Sequence, residues 1–157
     1  MPYSSDHDPF HLQRFVDAQR AVFHQALAEL RAGRKEGHWM WFMLPQLCGL
    51  GRSHLAQRYA ISCRAEAAAY LEHPLLGPRL RDCVAAITGI DGSPIEDILG
   101  RPDDLKFCFC LTLFSAVAED PALFDRALDK FYGGHADPLT LRLLSHQNAA
   151  VSGENPF

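Results

Sequence analysis

The sequence has no long hydrophobic run. Its densest apolar stretch, Trp39 to Leu44, falls far short of the roughly 20 residues that a helix needs to cross a bilayer. No membrane role is expected of it. The opening, MPYSSDHDPF, has neither the basic nor the apolar segment of a secretory signal, and none is expected there. An excess of basic charge is also missing: 15 Lys and Arg stand against 19 Asp and Glu, for a net charge of -4. A nucleic-acid binder usually shows a basic surplus or face, so there is no strong signal for such a partner; Arg31, Arg34 and Lys35 are local basic groups only. The five cysteines, Cys48, Cys63, Cys83, Cys108 and Cys110, are odd in number and irregular in spacing. That pattern lacks a disulfide framework and points to a reduced, cytoplasmic protein. Cys63 and Cys83 sit in apolar helical patterns and read as small core residues.

Metal-ligand spacing is lacking as well. There is no Cys-x-x-Cys and no His-Glu-x-x-His, and His135 and His146 belong to no paired motif. Cys108 and Cys110 are too close along a helix to share a face. No metal and no cofactor are expected. The stretch GLGRS has two glycines ahead of a helix but lacks the lysine spacing of a phosphate loop. It reads as a turn followed by Ser53 as a helix cap. No turn signal joins two alternating runs, so no hairpin is expected, and there is no internal repeat or low-complexity linker.

What the chain does have is helical periodicity. With 157 residues, 48% hydrophobic and 22% charged, it has the composition of one globular domain. From Pro9 to Arg34, Phe15, Gln19, Val22, Phe23, Ala26, Leu27 and Leu30 recur at helical spacing, with Glu29 on another face. Asp8-Pro9 reads as the start of that helix and Gly33 as its end. The same start signal recurs at Ser93-Pro94, Asp120-Pro121 and Asp137-Pro138, with Gly100, Gly133 and Gly134 as stops. Ser53 and Ser62 are placed to cap two further helices. Pro78 opens a pattern in which Leu80, Val84 and Ile87 share a face. In DDLKFCFCLTLFSAVAE the spacing places Leu105, Phe109, Thr112, Leu113 and Ala116 together, behind first-turn acids Asp103 and Asp104. The FCFCLTLF portion could read as a strand, but it would have no partner. The expectation is an all-α fold, a single domain over 1–157 with roughly eight helices and loose ends.

The segments LQRFVDAQ, ALAELRAGRKEGHWMWFMLPQLCGLGRS, AQRYAI, EAAAYLEHPLLGPRL and PDDLKFCFCLTLF, in that order, resemble an uncharacterised bacterial family of multihelical domains of unknown function. Some of its members carry an automatic label of calpastatin. The likeness spans about Leu12 to Leu143, with HWMWFMLPQL as its most specific part. It implies a compact multihelical fold with buried central helices and no established activity. The label does not suit this composition, because such inhibitors are long, polar and disordered. Cys48 stands where the family usually has a basic residue, and Cys108 and Cys110 where it tends to small polar ones. The resemblance therefore implies no shared chemistry at these thiols.

Candidate chemistry gathers in KEGHWMWFMLPQLCGLG, Lys35 to Gly51. Trp39, Phe42, Met43 and Leu47 at helical spacing read as core, with Pro45 ending or kinking the segment. Polar groups inside so apolar a run need partners, however. Arg34, Lys35 and His38 supply cationic groups or donors, Trp39 and Trp41 flat faces with one N–H each, and Gln46 an amide. The PDDLK helix start adds Asp103, Asp104 and Lys106, which serve equally as a helix cap and first-turn charges. Cys48 as a nucleophile would need a histidine within hydrogen-bond reach. Two functions follow. One is a cytosolic helical protein with a pocket for a small phosphate-bearing or aromatic ligand, with enzymatic action left open. The other is a non-enzymatic protein–protein interaction module that binds through an exposed apolar patch.

Overall fold

A computed structural model describes residues 7–151, with side chains to residue 147. The terminal residues expected to be loose lie outside the described residues. Ten helices follow in order: α1 Gln13–Gln19, α2 Phe23–Arg31, α3 Met40–Met43, α4 His54–Arg58, α5 Arg64–Glu72, α6 Leu76–Thr88, α7 Ile95–Leu99, α8 Asp103–Val117, α9 Ala122–Tyr132 and α10 Pro138–Val151. The fold is all-α. Among the described residues, strand-like pairing is confined to one parallel bridge, Leu47 with Ile61. There the Cys48 N–H donates to Ile61 O (2.8 Å) and the Ile61 N–H to Gln46 O (2.9 Å).

The single helix expected over Pro9–Arg34 is two helices. Between them the backbone tightens: the Arg20 N–H donates to Asp17 O and the Val22 N–H to Gln19 O, three residues back instead of four. Gln19 is buried at this break, and its Nε2 donates to Phe42 O (2.7 Å) and the Tyr70 hydroxyl (3.1 Å). Asp8 does cap α1, but through a wider turn. Its Oδ1 accepts from the Leu12 N–H (2.7 Å) and its Oδ2 from the Gln13 N–H (2.9 Å). His11 lies in this turn with φ of 54°. Gly33 ends α2 at φ 90°, letting the Arg34 N–H return to Glu29 O.

The start signals at Ser93-Pro94, Asp120-Pro121 and Asp137-Pro138 stand at α7, α9 and α10. Ser53 caps α4 by accepting from the Ala56 N–H (3.1 Å). Ser62 does not cap α5; the N-cap is Cys63, and Ser62 gives both its N–H and its hydroxyl to Glu66 Oε1. FCFCLTLF is helical. The side chains that α8 buries include Phe107, Cys110, Leu111 and Phe114, while Leu105 is 56% exposed. Of the stripe read from spacing, Thr112 and Leu113 are buried, Phe109 and Ala116 half-buried and Leu105 exposed, because α8 is apolar on nearly every face and spacing does not single one out. Cys83 is buried as expected, but Cys63 is only half-buried.

The centre is built on α6 and α8. α6 packs against α2, α5 and α9, and α8 packs against α5, α7, α9 and α10. A line of rings crosses this core: Phe15 meets Tyr70 edge-on at 5.1 Å, Tyr70 meets Phe114 at 5.4 Å, and Phe114 meets Phe124 at 6.0 Å. Each buried ring contributes about 1.5–3 kcal/mol by leaving water, and each ring pair about 0.5–1.5 kcal/mol more. Thr112 ties α10 to the centre by accepting from the Asp137 N–H (2.8 Å). No described helix is long and apolar enough to cross a membrane.

Candidate functional site

The loop from α2 to α3 folds around a carboxylate that the sequence reading had placed outside the core. Glu29 is 8% exposed. Its Oε1 accepts from the Glu36 N–H (2.8 Å), the Gly37 N–H (2.8 Å) and Trp39 Nε1 (3.0 Å), and its Oε2 accepts from Gln25 Nε2 (3.1 Å). Burial alone would raise its pKa, but the donors at Gly37, Glu36, Trp39 and Gln25 outweigh that and hold it at about 2. The signal in the sequence was slight: an acid at the end of a helix, ahead of a short loop whose amides need an acceptor.

Lys35 is fixed by the same loop. Its N–H donates to Ile98 O (2.7 Å), and its Nζ donates to Gly37 O (2.6 Å) and pairs with Asp103 Oδ2 (2.8 Å). The ammonium also stands 5.1 Å from the centre of the buried Trp39 ring. Lys35, Trp39 and Asp103 thus join the α2–α3 loop to the start of α8. Their polar groups are used inside the protein.

The neighbouring set is less complete. Lys106 lies 3.9 Å from Asp103 Oδ1 and 5.2 Å from the centre of the Trp41 ring. Trp41, Gln46 and Lys106 line a crevice of about 10 Å³, walled by Met40, Leu44, Ala56 and Tyr59. Trp41 Nε1 and Gln46 Oε1 are both buried and have no hydrogen-bond partner. One donor and one acceptor, each desolvated, therefore open on a space about the size of a water molecule.

The remaining candidates lie apart. Arg34 is exposed and borders a separate open cavity of about 420 Å³ with Glu96, Asp97 and Gly100. His38 is exposed and lines neither cavity. Asp104 is buried with Oδ1 unpartnered, Oδ2 is 4.0 Å from Arg101 Nε, and its backbone carbonyl accepts from the Tyr132 hydroxyl. Among the described residues no group of His, Cys, Asp and Glu is arranged to hold a metal ion. Cys48 is exposed, its thiol pushed up by burial and by Glu66, which disfavours the thiolate.

The fold and this cluster define a small all-helical protein in which the PDDLK helix start closes over the tryptophan segment. The chain belongs to the family described as protein of unknown function (DUF1810), whose model matches residues 9–144. It is similar to the crystal structure of the conserved hypothetical protein Rv1873 from Mycobacterium tuberculosis. The two are 53% identical, with 88% of this chain and 99% of that chain covered and a TM-score of 0.87. No curated protein matches.

Proposed function

We propose that the protein binds a small ligand with a planar ring and a negative group at the Trp41–Gln46–Lys106 crevice. One observation carries this reading: the buried Trp41 N–H and Gln46 carbonyl are unpartnered and line one space beside a lysine. A desolvated donor or acceptor left unsatisfied costs about 1–3 kcal/mol, so a complementary group that enters gains from both. A single hydroxyl of the ligand accepts from the indole N–H and donates to the amide oxygen, and its anion rests on Lys106. A nucleotide has all three features. The crevice admits one polar atom, and the ring lies outside it against the half-buried Trp41. Lys35, Trp39, Asp103 and Glu29 hold the walls in place, while Arg34 and His38 stand at the periphery. The same reading places the protein in the cytoplasm, where its five free cysteines stay reduced.

The test is a thermal-shift screen against nucleotides and phosphorylated metabolites. A ligand at 100 times its Kd adds about 2.7 kcal/mol, or roughly 5–10 °C in Tm for a chain of this size. Trp41→Phe and Lys106→Gln should lose the shift while staying folded. A second reading, the interaction surface, is favoured by Leu105, which is 56% exposed beside Lys106. Absence of any ligand shift, together with a partner lost on Leu105→Glu, would put that reading first.

A further inference from the structure

A second concavity lies on another part of the molecule, between the turn into α1 and helix α4. It is an open depression of about 510 Å³ lined by His11, Arg14, His54, Gln57 and Arg58. We propose that this depression binds a phosphate group, free or as a monoester. It shares no lining residue with the Trp41 crevice.

The depression is built around one clamped side chain. Arg14 is 12% exposed, and all five of its N–H groups are used. Nη1 donates to Phe10 O (2.7 Å) and His11 O (2.8 Å) on one bank. Nε donates to Arg58 O (2.9 Å) and Nη2 to Ala60 O (2.9 Å) on the other. Nη2 also pairs with Glu66 Oε2 (2.9 Å), which balances its charge. Arg14 therefore fixes the two banks and spares no donor for a ligand. It also holds His11 in place at φ 54°, a left-handed conformation uncommon for a residue other than glycine.

The groups left over share one chemistry. His11, His54 and Arg58 are exposed, and no side-chain hydrogen bond or ion pair occupies them. The Arg58 guanidinium is positioned 5.6 Å from the centre of the Tyr59 ring. Gln57 has its Nε2 on Arg52 O (3.0 Å), which leaves its carbonyl free. No carboxylate lines the depression, although the chain as a whole carries -4. Elsewhere on the surface Arg20 pairs with Asp17 and Lys130 with Asp91, whereas Arg58 has no ion pair. Here a guanidinium without a carboxylate partner and two imidazoles line one hollow that no carboxylate borders. A guanidinium fork matches two oxygens of a tetrahedral oxyanion, and imidazole N–H groups suit the others. The open side leaves room for whatever the phosphate is attached to.

The experiment is isothermal titration calorimetry of the full chain with inorganic phosphate at low ionic strength. Arg58→Gln, His54→Gln and His11→Asn, the last chosen because asparagine tolerates the left-handed backbone, should each weaken binding by about tenfold, as expected for one charge-assisted bond. Their Tm without phosphate should match the parent. Arg20→Gln, at the residue that follows α1 and outside the depression, should bind phosphate as the parent does. Sulfate should compete and equimolar chloride should not. The proposal is overturned if the parent gives no heat at millimolar phosphate, if the triple variant binds unchanged, or if chloride displaces phosphate equally well.

Discussion

Glu29 shows at the scale of one residue how a buried carboxylate can be held ionised by its hydrogen-bond donors. Its pKa falls from 4.5 to about 2, and a carboxyl depressed on folding adds stability that is fully present above its unfolded value. That contribution, roughly 3 kcal/mol, is lost as the pH falls through the window from 4.5 to about 2. Urea titrations stepped down through that window should show the loss, and Glu29→Gln should flatten it. Trp39, 1% exposed with its N–H on Glu29, should cost about 3–5 kcal/mol when replaced by alanine. Trp41→Ala should cost clearly less, because that ring is half-buried. Cysteines separate in the same way. Burial keeps the Cys83 thiol at about 12 and Cys110 well above the ordinary value, whereas Cys48 is exposed. Under a thiol reagent Cys48 should react first in the native protein, and Cys83 and Cys110 only on unfolding. The sequence made the tryptophan segment legible as core with a polar edge. It could not show that Lys35 and Asp103 pair with each other, since that contact joins residues far apart in the chain.

At the scale of the element, caps and glycines were easier to read than faces. Ser53, Asp137 and Gly33 do what their residue types dictate. Ser53→Ala should cost α4 about 1 kcal/mol, measurable by urea denaturation. The break between α1 and α2 escaped the sequence reading because the apolar spacing runs straight through it. What sets the break is Gln19, bonded to groups on α5 and at the end of α3. The exposed face of α8 escaped for the opposite reason, a surplus of apolar residues. Gly77 offers a sharper test. An alanine inside a helix normally gains up to about 1 kcal/mol over glycine. At Gly77 a Cβ would collide with the Leu71 carbonyl oxygen, where the end of α5 crosses α6. Gly77→Ala should therefore destabilise by about 1–3 kcal/mol, as an overpacked contact does.

On the scale of the whole molecule, one apolar cluster runs from Leu12 to Leu144 and draws on helices from both ends of the described chain. A single cooperative unit over the full chain is the proposal that follows. Unfolding followed by far-ultraviolet circular dichroism and by tryptophan fluorescence should give coincident curves. Two separated transitions would divide the chain. The all-α class was legible because helix starts, stops and periodicity agree along the sequence. The basic depression was not legible, because His11 and Arg14 meet His54 and Arg58 only once α4 has docked on α1.

That docking has a kinetic side. The bonds of Arg14 to Arg58, Ala60 and Glu66 close loops of 44, 46 and 52 residues, whereas α1 and α2 form from neighbours. The entropy of closing such loops is spent before the closing contacts give anything back, and the bonds of Arg14 should form late. Weakening them then speeds unfolding and leaves the folding rate nearly unchanged. Arg14 is in this sense a latch, and its replacement should shorten the lifetime of the native state more than it delays its formation.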